Sequence, residues 1–224
     1  MEPSKKKQKT AATDAKEGGN GGEGQGPPEH DSLFEACQQG ASEAEVLRSL
    51  LKEGGAEGFS INQADERGRT ALMWACDHGH DLGVVRVLLT QGHAAVNQAD
   101  RMGVTALFIA SENGHVEAVR YLVSEAHAAI NQADNCGFTP LNIACQQGHL
   151  EVVRYLVSEA HAAVNQANNN GFTALHVACQ QGHLEVVRFI VTEAHAAVNQ
   201  ATNNGLTPLY AAVTYTHLTL QTTK

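Results

Sequence analysis

No run of eighteen or more apolar residues occurs in the chain, so a membrane-spanning helix is not expected. No apolar stretch follows Met1 in the manner of a secretory leader, and an intracellular location is expected, cytoplasmic with a nuclear option. There is no Cys-x-x-Cys pair and no His-Glu-x-x-His phrase, two local metal-binding signatures. A glycine-rich phosphate loop and a Gly-x-Ser-x-Gly elbow are missing as well. Neither metal, cofactor nor catalytic residue is therefore expected. Basic residues are scarce. The net charge is -9, and residues 1–30 balance five basic against five acidic side chains, which leaves ten basic against nineteen acidic in 31–224. Nonspecific nucleic-acid binding needs clustered Lys and Arg to displace counterions, so nucleic acid is not an expected partner.

Cysteines number five, in keeping with a reducing compartment. Cys37, Cys76, Cys145 and Cys179 each follow an alanine in one register. Helices of neighbouring units pack ~8–10 Å apart, beyond the ~7 Å Cα limit of a disulfide, so these four read as small buried side chains. Cys136 breaks the register and is expected in an exposed turn.

What the chain does have is a period. Gly68, Gly103, Gly137, Gly171 and Gly205 each open a Gly-x-Thr-x-Leu phrase, at one step of 35 residues and then three of 34. Self-similarity at such a period means one supersecondary unit stacked on copies of itself. The expected segments are a disordered tail over 1–30, a degenerate N-terminal capping unit over 31–63, and full units over 64–98, 99–132, 133–166 and 167–200. A truncated unit follows over 201–213, then a non-repeat tail over 214–224. The first tail is rich in Gly, Lys, Glu and Pro and has too little apolar surface to order itself. Its Lys5-Lys6-Lys7-Gln8-Lys9 run is similar to a short nuclear import signal. The second tail is Thr-rich and fits no unit, and the chain reads as truncated or ending in foreign sequence there.

Within a unit the local rules agree. Asp134-Asn135-Cys136-Gly137 predicts a turn, Thr139 an N-cap, and Pro140 the first helical position. Small residues at Ala144 and Cys145 let the next helix approach. After Gly148-His149, the spacing of Val153, Leu156, Val157 and Ala160 predicts a second helix with one apolar stripe. Glu151 and Arg154 are spaced to pair along it. The capping unit begins its own second helix at Ser42.

Asp134-x-x-Gly137-x-Thr139-Pro140-Leu141, Ala144, Gly148-His149-Leu150-Glu151-Val152-Val153 and Val164-Asn165 resemble the ankyrin repeat, and the match recurs from Asp65 to Gln200. The resemblance implies an all-α solenoid of β-turns and paired antiparallel helices, with a noncatalytic role in binding other proteins as a monomer. Three departures stand out. The histidine usual after Thr-Pro-Leu, which bonds the Thr, is replaced by Met73, Phe108, Asn142 and Tyr210 and kept only as His176, so that bond is expected in one repeat alone. The family's Gly-Ala-Asp becomes Ala-His-Ala-Ala, as at Ala126–Ala129, which implies a slightly longer second helix. The last unit stops after one helix.

Eight of the twelve histidines form two columns: His80, His115, His149 and His183, and His93, His127, His161 and His195. Equivalent side chains in a stack run parallel and do not converge as zinc ligands do, so both columns are expected to bond turn carbonyls. Asn62, Asn97, Asn131, Asn165 and Asn199 read as an amide ladder between loops. Trp74 shares its register with Ile109, Ile143 and Val177 and reads as core.

Positions that vary while the scaffold repeats are the binding candidates. In ankyrin proteins these slots line the turn tips and the concave face of the first helices. Here they are Arg67, Arg69, Met73, Asp77, His78, Arg101, Met102, Val104, Phe108, Glu112, Asn113, Asn142 and His176. The strongest contacts are expected around Met73, Met102 and Phe108, with Phe108→Ala weakening a partner by ~1–3 kcal/mol in a chain that still folds. Two alternatives belong to other classes: a fragment of a larger enzyme such as a kinase or ubiquitin ligase, and a nuclear regulator marked by the lysine run.

Overall fold

A computed structural model describes residues 33–53, 60–79 and 82–213. The expected disordered tail with its lysine run, and the non-repeat tail over 214–224, lie outside the described residues. Helices come in pairs: α1 (Leu33–Gln38) with α2 (Glu43–Glu53), α3 (Ala71–His78) with α4 (Leu82–Thr90), and α5 (Ala106–Glu112) with α6 (Val116–Ser124). They continue as α7 (Pro140–Gln147) with α8 (Leu150–Arg154), and α9 (Ala174–Gln181) with α10 (Leu184–Thr192). One more helical stretch covers 208–213. Apart from the isolated bridges Ala64–Thr70 and Ala99–Thr105, the described residues form no β-structure.

The Thr caps form as their spacing requires. Thr70, Thr105 and Thr139 hold extended backbone and accept through Oγ1 from the N–H three residues on, at 3.4, 3.2 and 3.2 Å. In the capping unit, Ser42 donates from both its N–H and its hydroxyl to the Glu45 carboxylate, at 2.8 and 2.7 Å.

First helices stack on first helices and second on second, and the inner row packs more closely than the outer. That difference bends the stack toward the first helices and makes their side concave. Ala36, Ala110, Ala144 and Ala178 are fully buried between neighbours, and Cys37, Cys76, Cys145 and Cys179 are buried free thiols. Burial pushes the Cys37 and Cys76 thiols up to about 12 and raises Cys145 and Cys179 as well, so none is a thiolate at neutral pH. Cys136 is exposed at a turn tip.

Three ladders tie unit to unit. At the turns, Arg101, Asn135, Asn169 and Asn203 donate backbone N–H to the carbonyls of Arg67, Met102, Cys136 and Asn170, at 2.8 to 3.1 Å. At the helix junctions, Nε2 of His115, His149 and His183 donates to the carbonyls of Asp77, Glu112 and Gln146 at 3.3, 2.8 and 2.9 Å. Between the long loops, Oδ1 of Asn62, Asn97, Asn131 and Asn165 accepts from the N–H of Ala95, Ala129, Ala163 and Ala197 at 2.7 to 2.9 Å. The amides thus bond the next unit's backbone rather than each other.

Three expectations are corrected here. The second histidine column acts through its backbone: His93, His127, His161 and His195 sit at φ 52 to 56°, the left-handed position where glycine commonly ends a helix. The extra residue of the period is taken up in that cap; only the 133–166 unit extends its helix, as a π turn over Tyr155–Glu159. Arg154 does not turn back along its own helix. It lies over the Phe189 ring at 4.7 Å and reaches Glu193 at 3.7 Å, as Arg120 lies over Tyr155 at 4.5 Å and pairs with Glu159 at 3.0 and 3.1 Å. Side-by-side second helices bring the next unit's aromatic and carboxylate within reach of one guanidinium.

Candidate partner-binding face

The first helices and turn tips of units 64–98 and 99–132 carry most of the candidate residues. Arg67, Arg101 and Met102 are exposed on the tips, Met102 by 59%. Each tip is held by an aspartate that accepts two turn N–H groups through one oxygen. Asp65 takes Arg67 and Arg69 at 2.8 and 2.9 Å, and Asp100 takes Met102 and Val104 at the same distances. Those tip side chains therefore project from fixed backbone.

Along the concave helices the polar side chains are linked. Arg69 Nη1 lies 3.2 Å from Asp77 Oδ2, and Asn113 Nδ2 donates to Asp77 Oδ1 at 3.0 Å. His78 Nε2 donates to the Gln38 carbonyl at 2.8 Å. The Arg69 guanidinium also lies over the Trp74 ring at 4.9 Å, with His78 stacked against that ring at 6.3 Å. Burial, with the like charge of Asp77, holds the Glu112 carboxyl above its usual range, while Arg69 opposes the shift. Trp74 is half-buried rather than core, because an indole overfills a slot that holds Ile109, Ile143 and Val177 elsewhere. Val104 is half-buried, and Asn113 is exposed.

Four candidates leave this face. Met73, Phe108, Asn142 and His176 occupy one register, and their exposures are 1, 6, 1 and 0%. The third helical residue points back over its own N-cap and under the next turn, so it fills the seam between units. Side-chain variety there reflects several ways of filling one slot. In place of the usual histidine, Asn142 Oδ1 accepts from the N–H and hydroxyl of Thr139 at 2.9 and 2.7 Å, and Met73 Sδ lies 3.5 Å from the Thr70 N–H. The capping bond expected only at His176 is thus reproduced by an amide at Asn142 and weakly by a thioether at Met73. The hot spot expected around Met73, Met102 and Phe108 keeps only Met102 on the surface.

Such repetition of turn, helix, turn and helix, with a Thr cap at each first helix and an Asn ladder between loops, is matched by the family model for ankyrin repeats (3 copies). Its matches cover residues 33–134, 83–167, 123–202 and 160–221. The chain belongs to the ankyrin-repeat family. Ankyrin repeats are in general protein–protein interaction modules, and no helix among the described residues is long and apolar enough to cross a membrane. The last match runs past the half unit that the sequence motifs mark out. A sequence search of curated proteins finds no match to the chain.

Two predictions follow from the ankyrin seam. His176 Nδ1 accepts from the Thr173 hydroxyl at 2.9 Å and Nε2–H donates to the Leu206 carbonyl at 3.1 Å, so the ring is bound as the neutral tautomer. Burial lowers its proton affinity below the ordinary histidine range, although the carbonyls of Leu206 and Gln200 oppose this. The unfolded ring then takes up a proton before the folded one does. Its stabilising contribution is complete above about pH 6.5 and is lost as pH falls from there toward the lowered folded value. Hydrogen-exchange protection across residues 173–213, taken relative to the intrinsic exchange rate at each pH, is expected to fall between pH 7 and 5 more in the parent than in His176→Asn. An equal fall in both would show that another group controls this end of the stack.

The equivalent donor at Asn142, Nδ2, is buried with no partner among the described residues. Histidine in that slot reaches the next turn, as His176 does. Asn142→His is therefore expected to stabilise the chain by ~1 kcal/mol, one net hydrogen bond, as a raised denaturation midpoint at constant slope. A lower midpoint would mean that the seam between α7 and α9 has no room for the ring.

Proposed function

We propose that the chain is a noncatalytic interaction module that holds a protein partner on its concave face and turn tips, mainly across units 64–98 and 99–132. One observation carries this reading. Exposed chemistry changes there while the scaffold repeats: Arg67, Arg101, Met102 and Asn113 in these units, against Asn169, Asn170, Gln147 and Gln181 farther along. Interface energy concentrates in a few aromatic, Met and Arg side chains with polar groups at the rim. Arg69, Asp77, His78, Val104 and Glu112 supply the half-buried floor. The described histidines, which on composition alone suggest a metal or a base, are used in the ladders and caps.

The test is affinity of the full chain for a captured partner, measured beside stability. Met102→Ala is expected to weaken binding by ~1–3 kcal/mol with an unchanged denaturation midpoint. Asn170→Ala, on a tip of the 167–200 unit, is expected to leave affinity as it was. The reverse pattern would move the seat to the C-terminal units. An intracellular location is part of the same proposal, and nuclear entry through Lys5–Lys9 is checked by replacing those lysines in a tagged chain and following its distribution.

A further inference from the structure

Trp74 is the only tryptophan in the chain. With Gln38, Asp65, Glu66 and Arg67 it lines an open cleft of about 540 Å³ at the N-terminal end of the concave face. The indole already keeps company with one cation. Arg69 lies over the ring at 4.9 Å while its charge is met by Asp77 at 3.2 Å. Asp77 is thus taken, whereas Glu66 is exposed and forms no ion pair among the described residues. Asp65 uses Oδ1 for both turn N–H groups, and among the described residues Arg67 at the rim is the cationic lining residue, with Arg69 beside it over the ring. Residues 31–224 as a whole carry nineteen acidic against ten basic side chains, a net charge that favours the approach of cations. An aromatic face beside carboxylates is the chemistry that holds a lysine or arginine side chain.

Resting on the reading of this face as the partner's seat, we infer that the Trp74 cleft receives a lysine or arginine side chain from a basic segment of the partner protein. Its alkyl stem lies along the indole, and its charge meets Glu66 and Asp65. Arg67 opposes the arriving charge, and this gives the inference a signed test: removing Arg67 strengthens the contact. An acidic segment seated on Arg67 and Arg101 gives the opposite sign.

The full 224-residue chain is titrated with three nine-residue Gly-Ser peptides, carrying three arginines, three lysines or three glutamates. The sole indole reports by its own emission, and calorimetry gives affinities. A saturable emission change is expected with both basic peptides and none with the glutamate peptide. Affinity for the arginine peptide is expected to fall several-fold in Glu66→Gln and to rise several-fold in Arg67→Ala. Trp74→Leu, which places an aliphatic side chain where other units carry Ile or Val, is expected to lose at least ten-fold while its denaturation shows a folded chain. Weaker binding in Arg67→Ala, unchanged binding in Trp74→Leu, or preference for the glutamate peptide would each overturn the cation seat. If Met102→Ala still weakens the captured partner while no basic peptide moves the emission, the cation seat falls and the interaction face stands.

Discussion

Truncating Phe108 to alanine is expected to cost ~3–5 kcal/mol of stability and to leave the affinity of molecules that remain folded unchanged. Phe108 is 6% exposed in α5, inside the seam between the 99–132 unit and its neighbours. Large-to-small replacement in a packed seam loses the transfer energy of the ring and leaves a cavity that the surrounding helices fill only in part. In a stack, each unit depends on its neighbours, so the loss is concentrated around the 99–132 unit, where hydrogen exchange reads it. Binding at a fixed total concentration falls as well, but only through the folded fraction. Met102→Ala is the matched contrast: the side chain is 59% exposed, so its stability changes by no more than ~0.5 kcal/mol. A Phe108→Ala chain of parental stability with lost affinity would return Phe108 to the face.

That contrast marks where sequence reading reaches its limit. The period, the Thr caps, the turn at Asp134–Gly137 and the apolar stripe of the second helix all obey rules that operate within one unit, and all are legible. Contacts between units span 30 or more residues and escape such rules. Variation at Met73, Phe108, Asn142 and His176 therefore looks like surface divergence, although the position lies under the next turn. At His176 the ring is fully buried and donates to the Leu206 carbonyl of the next turn, 30 residues away. Arg120 and Glu159 pair across 39 positions, which no helix spacing predicts. His93 and its column were legible as a departure from the family's glycine. Their left-handed backbone was not, because composition suggests imidazole chemistry first. For the candidate face, the tips were legible from turn chemistry, whereas Trp74 was not. Its register says core, and only its bulk in an Ile-sized slot brings it to the surface.

Gly137→Ala is expected to destabilise the chain by ~2–4 kcal/mol, and Gly205→Ala by only about 1–2. The two glycines share a register and a backbone, at φ 84 and 78°. Left-handed backbone costs an L-residue roughly 1–2 kcal/mol by itself, because Cβ crowds its own carbonyl. That part is common to both. The rest depends on the neighbouring unit. A Cβ on Gly137 would stand 2.7 Å from the Asn169 backbone nitrogen and 2.9 Å from the Asn168 Cα, whereas one on Gly205 meets nothing within 4 Å among the described residues. Relief at Gly137 requires the two turns to part. Parting them strains the bond from the Asn169 N–H to the Cys136 carbonyl at 3.0 Å and the Asn169 Nδ2 bond to the Asn135 carbonyl at 2.9 Å, each worth roughly 0.5–1.5 kcal/mol. The excess should appear as faster hydrogen exchange on both sides of the seam, in the turns near Gly137 and Asn169, and fade toward the 64–98 unit. The difference between the two variants isolates the inter-turn ladder from the cost of the left-handed backbone. Equal losses at the two glycines would show that the ladder adds nothing, and that the stack is held by its helices alone.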